Sequence, residues 1–63
     1  MNKFSLFLDD TIVKHFYYDK DFDLMLELMF THIADKHKAK LARVYQENMN
    51  DKTVRFVFKR TIQ

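Results

Sequence analysis

The sequence predicts a small α+β fold, an antiparallel sheet with one helix packed against it. Three observations predict it. Apolar residues alternate near both ends of the chain, they recur at helical spacing in the middle, and neither glycine nor proline interrupts either pattern. The chain has 63 residues and no linker-like or repetitive stretch, so it reads as one domain over residues 1–63.

At the N-terminus Phe4, Leu6 and Leu8 alternate with Lys3, Ser5 and Phe7, the period of a half-buried strand. Asp9-Asp10 makes a tight polar break, because aspartate tolerates turn conformations. The run from Thr11 to Tyr18 is rich in β-branched and aromatic residues and completes a β-hairpin.

The helix follows. Phe22, Met25, Leu26, Met29, Phe30 and Ile33 recur at i, i+3, i+4, i+7, i+8 and i+11, which places all six on one expected inward face. Asp19, Asp21 and Asp23 precede it, where carboxylates satisfy free backbone N–H groups and favour the positive end of the helix dipole. Good helix formers continue through residues 35–45 with no capping glycine, so the helix is expected to reach about Glu47, with Ile33, His37, Leu41 and Val44 extending its buried stripe. The alternative stops the helix near Lys38 and makes residues 41–47 a strand. Asn48-Met49-Asn50-Asp51 is a turn either way. Residues 53–60 alternate again, with Val54, Phe56 and Phe58 directed to the core and Arg55 and Lys59 outward. The order is ββαβ with the long helix and ββαββ with the short one.

Composition excludes much. A chain this short buries only about 60% of the surface its unfolded form exposes. Small domains usually compensate with disulfides, a metal or self-association. The absence of cysteine removes disulfides, thiolate zinc sites and thiol nucleophiles together. Seven phenylalanines and three tyrosines supply dense packing instead, and a homodimer is the other expected remedy. The longest apolar run at the helix start, Leu24-Met25-Leu26, falls far short of the ~20 residues that span a bilayer. Met1-Asn2-Lys3-Phe4 lacks the apolar region of a secretory signal. No membrane association and a cytoplasmic location are therefore expected.

Candidate chemistry is sparse. Asp19-x-Asp21-x-Asp23 matches positions 1, 3 and 5 of a calcium loop, but Leu24 and Phe30 stand where that loop needs glycine and glutamate. His32 and His37 diverge by about 140° on a helix, so they do not form a zinc-binding pair. Ser5 lacks the glycine-flanked elbow of hydrolases, and a chain without glycine holds no phosphate loop. Asp9 and Asp10 at a turn tip offer neither a cleft nor the burial that separates carboxyl pKa values. A non-enzymatic protein with no metal and no cofactor is expected.

Surfaces carry the functional expectations. If the helix covers one sheet face, the opposite face holds Phe7, Val57, one of Val13 and His15, and one of Phe16 and Tyr18. Phe7, His15, Tyr17 and Val57 are the candidate interface for another protein or a second copy. The alternative is nucleic acid. Residues 1–32 hold three lysines against six carboxylates, a charge of −3, whereas residues 33–63 hold eight Lys/Arg against three, a charge of +5. On a long helix Lys36, Lys40 and Arg43 would form a ladder, extended by Arg55, Lys59 and Arg60, that could bind phosphates, with tyrosines for stacking. Asp9, Asp10, Asp19, Asp21 and Asp23 would make a mirror-image acidic patch. Small size and a Lys/Asn/Asp/Phe-rich make-up are in keeping with accessory proteins of phages or mobile elements, acting as regulators or inhibitors.

Overall fold

The computed structural model describes residues 1–61. Strands β1 (Asn2–Leu8) and β2 (Thr11–Tyr18) are followed by helix α1 (Leu24–Lys36) and strands β3 (Leu41–Asn48) and β4 (Asp51–Lys59). The four strands form one antiparallel sheet in the order β2-β1-β3-β4. The fold is α+β with the ββαββ order.

The first hairpin closes through Asp9 and Asp10, both with positive φ (49° and 68°), as a two-residue turn of the I′ kind requires. Asp9 does more than turn. Its carboxylate accepts hydrogen bonds from the backbone N–H of Lys40 (3.0 Å) and Leu41 (2.9 Å), and its own N–H donates to the Leu41 carbonyl (2.9 Å). The turn between β1 and β2 thus anchors the start of β3.

The helix begins where the sequence placed it. Asp23 is the N-cap, and its Oδ1 accepts the Leu26 N–H at 3.0 Å. The long helix is not formed. The chain leaves α1 through Lys38, which takes a left-handed conformation (φ 54°). There the Ala39 N–H donates to the Ala34 carbonyl (2.9 Å) and the Lys38 N–H to the Asp35 carbonyl (3.1 Å), the pair of bonds of a Schellman cap. A lysine occupies the position where glycine is usual, which is why the stop left no mark in the sequence. Residues 41–47 are strand, so Lys36, Lys40 and Arg43 form no helical ladder.

One sheet face packs on α1. Phe4, Leu6, Leu8, Ala42, Val44 and Phe56 from the sheet, Phe30 and Ala34 from the helix, and Ala39 form the buried core. Phe4 stacks on Phe16 (5.1 Å between ring centres), and Phe22 stacks on Phe30 and Phe56. Phe16 and Tyr18 both belong to the helix side of β2, so neither lies on the opposite face, where one of them was expected.

Two bulges shift the expected faces. β1 and β2 slip between Leu6 and Phe7, so Ile12 pairs with Phe7 and His15 with Ser5, while Val13 turns to the helix side. β3 and β4 slip between Val44 and Tyr45: Phe56 pairs with Val44, but Val54 pairs with Tyr45. Val54, expected in the core, consequently lies on the far face and is half exposed, and bulged Arg55, still exposed, bonds to buried Gln46 (Nε to Oε1, 2.7 Å). The helix is also rotated from expectation. Phe22, Leu26, Phe30, Ile33 and Ala34 face the sheet, whereas Met25 and Met29 face outward.

The carboxylates do not gather into one patch. Asp9 and Asp10 lie at the end of the sheet where β3 begins, and Asp19, Asp21 and Asp23 at the opposite end of β2, where α1 starts.

Candidate functional site

The sheet face turned away from α1 is built in three cross-strand rows. Tyr17, Lys3, Glu47 and Lys52 form one row, His15, Ser5, Tyr45 and Val54 the next, and Ile12, Phe7, Arg43 and Val57 the third. Direct partners in neighbouring strands share a face, so these twelve residues form one surface. Phe7, His15, Tyr17 and Val57, separated in sequence, are all on it.

Its apolar groups are of the type that anchors interfaces. Ile12, Tyr17, Val54 and Val57 are between 46% and 61% exposed. Phe7 meets Tyr45 edge-on at 5.4 Å, and the Arg43 guanidinium lies 5.5 Å from the Phe7 ring and 5.7 Å from the Tyr45 ring. Tyrosine, phenylalanine and arginine, held rigid by such contacts, are enriched among residues that dominate binding energy.

The charges of this face are largely matched within it. Glu47 accepts from Lys3 Nζ at 3.2 Å and lies 3.9 Å from Lys52 Nζ. Arg43 pairs with Asp10 and donates to the Tyr45 hydroxyl at 3.1 Å. The Ser5 hydroxyl bond, followed by Lys3, holds the Glu47 carboxyl below its ordinary range.

Ser5, His15 and Glu47 lie together in the order of a hydrogen-bonded chain, not of a nucleophile triad. Ser5 Oγ donates its single hydrogen to Glu47 Oε1 (2.9 Å), so His15 Nδ1, 3.0 Å away, donates to Ser5. In a triad the imidazole accepts the serine proton. Ser5 is moreover fully buried. The chain ties β2, β1 and β3 together across the face.

The basic candidates scatter. Lys59 pairs with Leu41 and shares the open face with Arg43, Lys36 ends α1, Lys40 lies beyond it, and Arg55 turns to Gln46. Arg60 was expected to extend the basic surface, but it closes the helix instead. Its guanidinium donates to Asp35 Oδ1 (2.6 Å) and to the carbonyls of Ala34 (3.2 Å) and Ala39 (2.7 Å). Among the described residues no group of three or more His, Asp or Glu side chains could hold a metal ion. No helix among the described residues is long and apolar enough to cross a membrane.

Two further surfaces were not foreseen. A cavity of about 450 Å³ opens between β2 and the second half of α1, walled by Leu6, Leu8, Val13 and Ile33 with Lys14 and His37. The outward side of α1 exposes Leu24 (68%), Met25 (78%), Leu28 (63%) and Met29 (45%). The signal for it was present: Leu24-Met25-Leu26-Glu27-Leu28-Met29-Phe30 is too apolar for a helix buried on one side only. No protein-family profile, curated protein or solved structure matches the chain.

Proposed function

We propose that this chain is a non-enzymatic binding module of the cytoplasm, a regulator or inhibitor that occupies the surface of another protein with its open sheet face. The observation that carries this reading is the composition of that face. Tyr17, Ile12, Val54 and Val57 stand exposed around the fixed Phe7–Arg43–Tyr45 group, and Lys3, Lys52 and Arg43 are already matched by Glu47 and Asp10. Cations neutralised in place have little to offer a phosphate backbone, whose binding depends on released counterions. The exposed apolar side chains around the fixed Phe7–Arg43–Tyr45 group favour a partner whose matching surface is apolar at its centre. A core of nine buried side chains is thin, and the chain acts as a homodimer.

The test is affinity capture from cell extract with the intact chain and with two double variants. Capture of a discrete protein should be lost with Tyr17→Ala/Val57→Lys and retained with Lys36→Glu/Lys40→Glu. Titration of labelled oligonucleotides runs alongside. Tight binding that collapses between about 50 and 200 mM salt would replace this reading with the nucleic-acid one.

A further inference from the structure

We infer that the outward face of α1 joins two copies of this chain as an antiparallel, two-fold dimer. This rests on the homodimer reading above and assigns it to a surface separate from the partner-binding sheet face.

The face is continuous. Leu24 and Leu28 form one i, i+4 row and Met25 and Met29 the adjacent one, all four at least 45% exposed. The same helix buries Phe30 and Ala34 on its other side, so its first two turns are apolar on both sides, a pattern that belongs to helices covered on both sides. At 13 residues α1 is about 20 Å long, enough for two helices to pack side by side.

Charge selects a second copy as the occupant and fixes its direction. On the outward side Asp21 precedes the apolar rows and His32 and Lys36 follow them, all exposed. Asp19 and Asp23 outweigh Lys20 at the acidic end, and Lys38 and Lys40 outweigh Asp35, itself paired with Arg60, at the basic end. An antiparallel copy sets the acidic end of each helix beside the basic end of the other, twice by symmetry, with the two helix dipoles opposed. A parallel copy would set acid against acid. A foreign partner would need its own pair of oppositely charged ends at this spacing, which a second copy supplies by symmetry. The arrangement places the two helices between the two sheets and leaves each open sheet face outward.

The mass of the full chain is to be measured by sedimentation equilibrium from about 1 to about 500 μM. The expected result is twice the 7.7 kDa of one chain at the upper concentrations. Leu28→Lys should remain a folded monomer throughout, judged by circular dichroism, because Leu28 lies outside the core. Asp21→Lys and Lys36→Glu should each weaken the dimer by about 3- to 10-fold, two exposed pairs being altered at once. Mixing those two variants should restore it, since only the mixed dimer has opposite charges at both ends. These two variants bury nothing new, so they decide the matter even if Leu28→Lys fails to fold. A monomer at every concentration, or no recovery on mixing, would overturn the inference. So would a dimer that survives Leu28→Lys and is lost with Tyr17→Ala/Val57→Lys. An intact chain that dimerises but captures no protein would overturn the partner reading alone, and one that captures a protein yet stays monomeric would overturn this inference alone.

Discussion

Single residues in this chain hold positions that usually belong to other residue types. Lys38 adopts the left-handed conformation at the helix stop, where a side chain with a Cβ costs about 1–2 kcal/mol relative to the right-handed region. Lys38→Gly should relieve that cost, set against greater chain entropy in the unfolded state, and stabilise the fold by up to about 1 kcal/mol in urea denaturation. Asp9 carries a second burden, since its carboxylate takes two backbone N–H groups that start β3. Asp9→Ala should therefore destabilise by about 1–3 kcal/mol, and Asp9→Asn by less, because asparagine keeps one acceptor and tolerates the same φ. Asp23 and Tyr18, beside Glu47, make the pH dependence. The Leu26 N–H first, and the Tyr18 hydroxyl (2.7 Å) second, hold the Asp23 carboxyl below its ordinary 3.8. The hydrogen bond to Asp23 chiefly holds the Tyr18 phenol above its ordinary 10.0. The Asp23 contribution is thus present above about pH 4 and lost as pH falls through its folded value, and the Tyr18 contribution is present below about pH 10 and lost as pH rises through its folded value. In Tyr18→Phe the Asp23 titration followed by NMR should move up toward the ordinary value, and the alkaline loss of stability should become shallower.

At the scale of elements, the rotation of α1 is the most consequential feature, and its two faces give opposite expectations for similar substitutions. Phe30 is buried among Phe16, Phe22 and the sheet, so Phe30→Ala should cost about 3–5 kcal/mol. Met25→Ala in dilute solution should stay within about 0.5 kcal/mol of the parent chain, since Met25 is 78% exposed. Equal losses in thermal or urea unfolding would mean that Met25 is packed as tightly as Phe30. The spacing of Phe22, Leu26, Phe30 and Ile33 made the helix legible, yet the periodicity alone could not separate these from Met25 and Met29, because α1 is apolar on both sides. β1, β2 and the helix start were equally legible, from alternation and from Asp23. The end of α1 was not. A lysine takes the place of glycine there, and the guanidinium that closes the helix comes from Arg60, 24 positions beyond Lys36. β3 was hidden by helix-forming residues whose strand pairing with both β1 and β4 overrides their local preference. Val54 and Arg55 exchanged faces because a bulge adds one residue to β4, and nothing in the alternation of Val54, Phe56 and Phe58 announces it. Phe7, His15, Tyr17 and Val57 share the open face, but alternation also assigns one of Phe16 and Tyr18 to it, and the bulges that set the registers of β2 and β4 leave no mark in the sequence.

For the molecule as a whole, the charge asymmetry between the two halves of the chain becomes an asymmetry between two ends of one helix. Asp19, Asp21 and Asp23 lie at one end, and Lys36, Lys38 and Lys40 at the other. The same segment carries four exposed apolar side chains, while the core holds nine buried hydrophobic residues. A domain with that balance gains stability from anything that covers the helix, and a second copy is always present in proportion to concentration. Mass action then couples unfolding to dilution. For a chain of 63 residues forming a two-fold dimer, each tenfold rise in concentration above the dissociation constant should raise the thermal midpoint by about 3–6 °C. Leu28→Lys should remove the dependence and leave a flat midpoint near that of the dilute parent chain. Tyr17→Ala/Val57→Lys should keep the slope, because its substitutions lie on the other side of the sheet. A parent chain whose midpoint does not move with concentration would show that the exposed side of α1 adds nothing to the stability of the fold.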